Sequence, residues 1–324
     1  MPRSPEQNRL RWPLAAGLAA GVALDALLGD PRRGHPVAAF GAAASALESR
    51  TYADSRLRGA AHAAACVLAA AAPAVLMHRR TRGHPPLEVA AAALTVWAVT
   101  GARSLHKQAE RAVLSLDTND LQSARQVLPS LCGRDPAGLD AGEIVRAVIE
   151  SVAENTSDAI VAPLLWGAVA GLPGLAAYRA VNTLDAMVGY RSPRYLRFGW
   201  ASARLDDAAN WIPARVTAAL TIAVAPLVTR SAGSAGAALR VVRRDGGRHP
   251  SPNAGRCEAA FAGALGVRLG GTNVYEGVTE ARPGLGESRA PDPDDARRAI
   301  RLSKAVTVAA TGLAVLIALA RPRR

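Results

Sequence analysis

Acidic side chains with a regular spacing lie beside one of the most apolar parts of this sequence. Glu150, Glu154 and Asp158 recur at every fourth residue, so they share one face of a helix. Carboxylates can act as a base or hold a hard cation such as Mg²⁺. A solvated helix face is the alternative, but like charges one turn apart repel unless Mg²⁺ or an arginine such as Arg146 neutralises them. The spacing therefore favours chemistry on a polar, phosphorylated substrate.

Other polar residues stand out beside apolar segments. They are Asp25, Asp30, His35, Asn155, Asn182, Asp185, Asp206, Asp207, Asn210, Asn253 and Tyr275. A charge at the centre of a membrane helix costs roughly 2.5–3.5 kcal/mol, so such residues usually have a task. Turn and helix-cap chemistry is the alternative for Asp30, His35 and Asn253. Separated acidic clusters also occur in membrane prenyltransferases, but the NDxxD and DDxxD spacings of those enzymes are absent.

Several kinds of site are excluded by what the sequence lacks. There is no G-x-x-x-x-G-K-[ST] motif, so ATP, if used, is not bound by a P-loop. The segment 251–277 has no GxGxxG spacing, which argues against a Rossmann site. The three cysteines are far apart and the histidines have no HExxH spacing, so a zinc site is not expected. Any metal would be a hard cation held by Asp, Glu and Asn oxygens.

The net charge of +13 raises the question of nucleic-acid binding. The arginines are scattered among loops, however, and aromatic residues make up only 4% of the chain. Stacking on bases is therefore not expected, and no nucleic-acid partner is predicted. The planar guanidinium suits carboxylate and phosphate groups, although loop arginines also follow from the positive-inside rule.

Hydrophobic residues make up half of the 324 residues and occur in blocks. The blocks are approximately 12–28, 59–77, 87–102, 159–178, 211–228 and 305–320. Most approach the ~20 residues that cross a bilayer. With no credible strand pattern, the sequence predicts an all-α, polytopic integral membrane protein with amphipathic helices and a polar face that carries the site. A soluble, alanine-rich helical protein is the alternative.

The membrane topology depends on which blocks cross the bilayer. If all six crossed, residues 179–210 would face the opposite side from the other polar stretches. Glycines and prolines in the blocks 159–178 and 211–228 favour re-entrant helices, which would leave about four true spans. The first block could be a cleaved signal peptide, but Asp25 interrupts it and a retained helix is predicted.

One membrane-embedded domain, 1–324, is predicted. A flexible loop is expected at 280–295, which is rich in Pro and Asp. A helix start is expected at Asp140, because Glu143 occupies the capping-box position three residues later.

Long motifs follow one another from about Leu24 to Gly277. They are LDALLGDP, HPV, GRD, ESVAENTSDAIVAPLLW, YRAVNTLDAMVGYR, FGWASARLDDAANWIPAR, SPNAG, AGALGVRLGG and a final Y-x-G. In these motifs the chain resembles the CobD/CbiB family, the integral-membrane cobinamide-phosphate synthases of cobalamin biosynthesis. Arg256-Cys257 departs from the Trp-Pro that usually follows SPNAG in that family, and the role of this turn stays open.

The resemblance implies formation of an amide. A carboxylate of adenosylcobyric acid would be joined to the amine of (R)-1-amino-2-propanol O-phosphate, or of aminopropanol itself, to give adenosylcobinamide (phosphate). ATP as co-substrate and Mg²⁺ are implied, because the carboxylate must first become an acyl phosphate whose developing charge Mg²⁺ and arginine neutralise. The sequence leaves open whether the amine is phosphorylated and which residues bind the corrin.

The resemblance also suggests roles for individual residues. Metal ligands or a base would come from Glu150, Glu154, Asp158, Asp185, Asp206 and Asp207, with Mg²⁺ assigned to Glu154, Asp158, Asp185 and Asp207. Phosphate or carboxylate groups would be held by Arg191, Arg204 and Arg215, and substrate amides would be oriented by Asn155, Asn182 and Asn253. The predicted substrate-binding set also includes Asp30, His35 and Tyr275.

The predicted location is the bacterial cytoplasmic membrane, with the active site on the cytoplasmic side. A homo-oligomer, or association with other enzymes of the cobalamin pathway, is left open. Two other classes remain alternatives: a Mg²⁺-dependent membrane prenyl- or phosphotransferase, and a cation-coupled membrane transporter. The transporter is disfavoured because the polar residues concentrate in loops and at the ends of spans.

Overall fold

The computed structural model describes residues 12–31, 34–275, 278–287 and 289–320. This part of the chain is predominantly helical. Five of its helical stretches are long and apolar enough to cross a membrane. They are Arg56–Thr81, Pro85–Asp117, Ala141–Val188, Trp200–Thr229 and Pro293–Ala320. The prediction of a helical, multi-pass membrane protein is confirmed.

The helices follow one another with short connections. In chain order they are α1 (Trp12–Leu28), α2 (Pro36–Thr51), α3 (Arg56–Thr81), α4 (Pro85–Val99), α5 (Ala102–Asp117), α6 (Leu121–Val127), α7 (Ala141–Thr156), α8 (Ala162–Val188), α9 (Tyr195–Phe198), α10 (Trp200–Thr229), α11 (Ser234–Asp245), α12 (Ala254–Leu265) and α13 (Pro293–Ala320). A 3-10 turn, Leu128–Ser130, follows α6, and a π turn, Ser157–Val161, joins α7 to α8. Strands β1 (Arg268–Tyr275) and β2 (Val278–Gly286) form an antiparallel hairpin.

Contacts within the chain group its residues into two compact units. The first consists of Met1–Gly101, Ala162–Asn210 and Ala310–Arg324, and the second of Ala102–Val161 and Trp211–Ala309. Several long helices contribute residues to both units, so the grouping does not test the prediction of a single domain.

Small residues set the packing of α1 against α4 in the first unit. A Cβ built on Gly17 would lie 2.4 Å from the Cβ of Ala92, and one built on Gly21 would lie 2.4 Å from the Cβ of Val96. Real Cβ atoms do not approach this closely, so only glycine permits the observed distance between the helices. Close approach through small residues is common where helices pack within lipid.

The helical stretch Ala141–Val188 is irregular at two points. The π turn Ser157–Val161 contains Asp158, and π turns inside helices are frequent at functional sites. Gly171 has φ 68° and ψ −157°, and it interrupts the helix two residues before Pro173. A break here agrees with the glycines and prolines of the block 159–178, from which an interrupted helix was expected. Whether the helix re-enters the membrane stays a prediction.

The start of α7 confirms the capping box. The Asp140 carboxylate accepts a 2.8 Å hydrogen bond from the N–H of Glu143, and the Glu143 carboxylate accepts one of 3.0 Å from the N–H of Asp140. Satisfying these backbone donors fixes where the helix begins. Because the first residue of α7 is fixed, the face of the helix on which Glu150 lies is fixed too, and that face is buried.

The hairpin was not expected, because RLGGTNVY and VTEARPGLG lack an alternating apolar pattern. Leu269 and Leu285 pair across the strands, and both are fully buried. The prediction that the chain has no strands is therefore wrong at 268–286, although the fold class is helical. The predicted loop 280–295 is shorter as well, since residues 280–286 belong to β2 and α13 begins at Pro293. Pairing of the two neighbouring strands satisfies the hydrogen bonds of a backbone whose local composition is typical of loops.

Candidate functional site

Glu150 lies at the centre of a buried charged cluster in the second unit. Its carboxylate accepts a 2.5 Å hydrogen bond from Nη2 of Arg134, and Nη1 of Arg146 lies 3.6 Å away. It also accepts a 2.7 Å hydrogen bond from the N–H of Gly270. The side chains of Arg134 and Glu150 are 3% and 9% exposed. We call Arg134, Arg146 and Glu150 the arginine–glutamate cluster. Because protein groups already occupy its carboxylate, Glu150 is better suited to positioning than to proton transfer.

Arg146 connects α7 to the hairpin. Its Nη1 donates to the carbonyl oxygen of Gly270 at 2.6 Å and to Oδ1 of Asn273 at 3.0 Å, and its Nη2 donates to the carbonyl oxygen of Thr272 at 3.1 Å. Of the three acids on this face, Arg146 lies beside Glu150, where Arg134 shares the neutralisation. The role of Mg²⁺ at Glu154 and Asp158 stays a prediction. Two arginines and a backbone donor make burial of the Glu150 charge tolerable.

His249 and Glu258 form a second buried pair in the same unit. Nε2 of His249 lies 3.8 Å from Oε1 of Glu258, and their side chains are 4% and 2% exposed. Nη1 of Arg282, on β2, lies 3.1 Å from the same Nε2. The N–H of Ser251 donates to Nδ1 of His249 at 3.0 Å. The hairpin and the start of α12 are therefore joined through a single imidazole.

Burial shifts the titration of this pair in opposite directions. Burial raises the pKa of Glu258 well above its ordinary value, and the nearby negative charges of Glu150 and Glu154 raise it further. Burial lowers the pKa of His249, and the positive charge of Arg282 lowers it further. Both shifts favour the neutral forms of the two side chains.

The acidic face of α7 continues beyond Glu150. Glu154 and Asp158 are half-buried, and Asp158 lies in the π turn. Nδ2 of Asn155 donates to the carbonyl oxygen and to Oγ of Ser151, at 3.0 and 3.1 Å. The Ser151 hydroxyl in turn donates to the carbonyl oxygen of Leu131 at 2.6 Å. Asn155 therefore has a structural role on its own helix beside its predicted role towards a substrate amide.

A different kind of cluster lies in the first unit. Nδ2 of Asn210 donates to the Asp206 carboxylate at 3.0 Å, and Nδ2 of Asn182 donates to it at 3.4 Å. The Tyr178 hydroxyl donates to Oδ1 of Asn210 at 2.8 Å. We call Tyr178, Asn182, Asp206 and Asn210 the carboxamide cluster. It brings together three residues that stood out in the sequence and adds Tyr178.

Charged residues of the first unit are more accessible. The Asp207 side chain is 37% exposed, and its carboxylate lies 3.8 Å from Nη1 of Arg204, which is 72% exposed. Arg191 is exposed, and Asp185 is half-buried on α8. Asp207, Arg191 and Arg204 are therefore accessible to a soluble anion or a substrate, whereas Asp206 is committed to carboxamide donors.

Two other predicted site residues, Asp30 and His35, precede α2. Nδ1 of His35 accepts a 3.2 Å hydrogen bond from the N–H of Val37 and caps α2, which supports the turn-chemistry alternative. Asp30 follows Gly29, whose carbonyl oxygen accepts a 2.8 Å hydrogen bond from Nε1 of Trp97. Oδ1 of Asp30 itself is buried and has no hydrogen-bond partner among the described residues, so its predicted role towards a substrate stays a prediction.

Arg215 is engaged on its own helix, in the second unit. Its Nη1 donates to the carbonyl oxygen of Trp211 at 2.7 Å, and its guanidinium stacks 3.9 Å from the centre of that ring. Its predicted role as an anion ligand stays a prediction.

Asn253 is buried at the start of α12. The cap of this helix is the Ser251 hydroxyl, which accepts hydrogen bonds from the N–H groups of Asn253 and Ala254 at 3.3 and 3.2 Å. Since the Asn253 side chain makes no capping bond, helix capping does not explain this residue. The helix ends at Gly266, which has φ 68°. Tyr275 lies on β1, and its side chain is outside the described residues.

A resident metal site is not evident in the described part of the chain. No three His, Cys, Asp or Glu side chains there are close enough to hold an ion together. Of the predicted Mg²⁺ ligands, Glu154 and Asp158 belong to the second unit, and Asp185 and Asp207 to the first. Mg²⁺ is often held by one or two carboxylates together with substrate phosphates. The prediction of Mg²⁺ at these residues therefore stays a prediction.

Comparison with known proteins supports the motifs of the sequence. A family model described as CobD/Cbib protein matches residues 18–303. The chain belongs to the CobD/Cbib family.

CobD/Cbib relatives match along almost the whole chain. Cobalamin biosynthesis protein CobD of Mycobacterium tuberculosis is 52% identical over 303 residues, which cover 94% of this chain and 95% of the relative. CobD of Geobacter metallireducens is 47% identical and covers 85% and 87%. CobD of Rhodobacter capsulatus is 40% identical over 94% and 97%. No solved structure matches the chain.

Sequence reasoning missed four charged residues of this CobD/Cbib protein: Arg134, His249, Glu258 and Arg282. Arg134 lies in GRD, where a turn explains the residue types equally well. Glu258 offered a usable signal, since it is a lone acid within the run CEAAFAGAL, and acids are almost never buried without a partner. Arg282 gave no local signal, because its contact with His249 depends on strand pairing.

Proposed function

We propose that this protein acts in cobalamin biosynthesis as an ATP-dependent ligase that forms an amide. The substrates would be adenosylcobyric acid and (R)-1-amino-2-propanol O-phosphate, or aminopropanol. The main support is structural. Residues in or beside four family motifs (GRD, ESVAEN, SPNAG and RLGG) meet in one buried polar region of the second unit. The names of the relatives and the shared family support the pathway.

The proposed reaction has two steps. A carboxylate oxygen attacks the γ-phosphorus of ATP, giving an acyl phosphate and ADP. The neutral amine then attacks the acyl carbon, the C–O bond to phosphate breaks, and inorganic phosphate leaves. One proton leaves the amine nitrogen during the second step, so a base is required.

Within the second unit, the arginine–glutamate cluster would act as a rigid support. Its hydrogen bonds hold β1 against α7, so Glu154 and Asp158 occupy defined positions on the following turns. We assign to Glu154 and Asp158 the removal of the amine proton or contact with a cation that accompanies the nucleotide. Mg²⁺ would neutralise phosphate charge when bound.

The residues of the first unit have separate proposed roles. Arg191 and Arg204 are exposed cations that suit a phosphate or carboxylate group. Asp207 is the most accessible acid among those near them, which makes it a candidate base or cation ligand. The carboxamide cluster would orient Asp206 and thereby the first turns of α10.

The test uses detergent-purified protein with adenosylcobyric acid, aminopropanol phosphate, ATP and Mg²⁺, and mass spectrometry of the corrinoid. A gain of one aminopropanol phosphate less water, only with ATP, is expected. No gain with either amine would contradict the ligase. Proton-coupled uptake into proteoliposomes would then favour the transporter, and transfer without ADP release would favour a transferase.

Asp207→Asn is the first variant to compare. We expect it to lower turnover by about 10²–10⁴-fold, the range typical of a lost acid–base group, while membrane insertion is unchanged. Asp54→Asn is the matched control, since Asp54 is an exposed aspartate of the same unit, also near an arginine, Arg197. Full activity of Asp207→Asn would remove Asp207 from the site.

A further inference from the structure

Glu258 is a buried carboxyl group whose hydrogen-bonding capacity is not used. The residue is 2% exposed, and no described residue donates a hydrogen bond to its carboxyl oxygens. The nearest ionisable nitrogen, Nε2 of His249, is 3.8 Å away, which is too far for a hydrogen bond. A buried acceptor without a donor is unfavourable, so such a group calls for an explanation.

Two other buried glutamates show how this chain normally satisfies such a group. Glu150 accepts hydrogen bonds from Arg134 and Gly270. Glu48, which is 8% exposed, accepts hydrogen bonds from Nη2 of Arg194 and the Tyr195 hydroxyl, both at 3.0 Å. Glu258 differs from both in having no cation or hydroxyl within hydrogen-bond distance among the described residues.

The surroundings of Glu258 do not supply the missing donor. The residues one turn away on α12 are Ala254, Gly255, Phe261 and Ala262, whose side chains have no N–H or O–H groups. The charged groups that face Glu258 from other elements are Glu150, Glu154, Arg134, Arg282 and His249. Arg134 is hydrogen-bonded to Glu150, while Arg282 contacts His249 and lies 3.3 Å from Glu280.

We propose that Glu258 binds the primary ammonium group of the amine substrate. The ammonium is a compact cation with three donors, and it matches an acceptor-only carboxylate that lacks donors. This assignment rests on the proposed function, because it supposes that an amino alcohol or its phosphate is a substrate. It makes Glu258 a specificity-determining residue for the amine, and no covalent step is involved.

Binding of the ammonium would have a proton signature. Burial raises the pKa of Glu258 well above its ordinary value, which favours the protonated carboxyl group in the free protein. When an ammonium group arrives, the carboxyl becomes a carboxylate, the ammonium stays charged, and up to one proton leaves to solvent. A ligand without an amine has no such effect on Glu258.

The experiment is calorimetric titration of the full-length protein in detergent, in two buffers with different ionisation enthalpies. The ligands are aminopropanol phosphate and isopropyl phosphate, which is the same molecule without its amine. For Glu258→Gln we expect about 30-fold weaker binding of aminopropanol phosphate, no proton release and an unchanged affinity for isopropyl phosphate. Glu258→Asp should be intermediate, and it carries the test if the Gln variant does not fold.

Glu48→Gln is the matched control, because it makes the same change at a buried glutamate whose hydrogen bonds are satisfied. We expect it to bind aminopropanol phosphate like the unaltered protein. If Glu258→Gln and the unaltered protein bind aminopropanol phosphate with equal affinity, the proposal is overturned. Glu258 is then a buried neutral acid without a role in binding the amine. Failure of the unaltered protein to prefer the amine over isopropyl phosphate would overturn it as well.

The same measurements separate this inference from the proposed function. Selective amine binding that depends on Glu258, without amide formation, would contradict the ligase and leave the amine site standing. Amide formation with an unchanged KM for the amine in Glu258→Gln would leave the ligase standing and overturn the role of Glu258.

Discussion

The two polar clusters satisfy buried groups in different ways. The arginine–glutamate cluster uses full charges, with Arg134 and Glu150 almost completely buried. The carboxamide cluster uses one carboxylate and neutral donors, with the Tyr178 hydroxyl bonded to Asn210 and Asn210 bonded to Asp206. A buried charge must be neutralised by a specific partner, whereas a carboxamide loses less when one bond is missing.

This difference suggests different tasks. The charged cluster holds two distant segments, α7 and β1, in one register, and removing either charge would leave the other uncompensated. The neutral cluster lies within α8 and α10 and borders Asp207, which is partly exposed. The first is suited to rigid support and the second to adjustment near a ligand. One variant in each cluster tests this contrast, and a third, at a buried acid whose cations are exposed, extends it.

The largest loss of stability is expected from Arg134→Leu. It leaves the Glu150 charge buried without its shortest hydrogen bond, so we expect a loss of about 3–5 kcal/mol in the free energy of unfolding. Denaturant titration in detergent, followed by circular dichroism, measures this. Adding Glu150→Leu should restore part of the stability, because an apolar pair avoids the uncompensated charge. A loss below about 1 kcal/mol in the single variant would show that solvent reaches the cluster.

A smaller loss is expected from Tyr178→Phe in the carboxamide cluster. The change removes one hydroxyl and leaves Oδ1 of Asn210 without that donor, so we expect a loss of about 1–2 kcal/mol. The same denaturant titration gives the value. Tyr190→Phe is the control, because Tyr190 is 57% exposed. A loss as large as that of Arg134→Leu would remove the distinction between the two clusters.

The smallest loss is expected at Asp245, a buried acid whose cations are exposed. Its carboxylate accepts hydrogen bonds from Arg244 and from the N–H of Gly286, and the side chains of Arg244 and Arg248 are 53% and 60% exposed. Asp245→Asn should lose about 1 kcal/mol at pH 7, because solvent screens these arginines.

The pH dependence of the Asp245 contribution has a defined sign. The hydrogen bond from Arg244 lowers the pKa of Asp245 below its ordinary value. The contribution is therefore complete above the unfolded pKa of about 3.9 and is lost as the pH falls through the folded pKa. Unfolding of the two proteins at pH 7 and pH 3 measures it. An equal difference at both values would mean that Asp245 does not act through its charge.

Local patterns predicted the helices well. Five of the six apolar blocks lie in the long apolar helices, and the block 12–28 forms the shorter α1. The capping box begins α7 where expected, and Arg146 neutralises Glu150. These features depend on residues within one or two helical turns, which is the range over which a sequence pattern acts directly. The hairpin escaped because its strands are held by distant groups, including Arg146 and Asp245, rather than by alternating apolar residues.

The candidate site was predictable only in part. Asn182, Asp206 and Asn210 were recognised, and the structure brings them together. Tyr178 was not recognised, since a tyrosine in an apolar helix ordinarily signals packing. His249, Glu258 and Arg282 come from three segments, and their meeting depends on how α12 and the hairpin pack.

The sequence by itself determined the family, the helical membrane fold and the residue types available for chemistry. Motif order and apolar block length are properties of the linear chain, so no packing is needed to recognise them. Only the tertiary structure decided which acids are neutralised and which are not. Glu150 and Glu258 are both acids within helices, yet one receives Arg134, Arg146 and Gly270, and the other receives no donor from the described residues. The reason is that Arg134 and Gly270 lie outside α7, so only folding brings these two donors to Glu150, whereas Arg146 lies one turn away on the same helix.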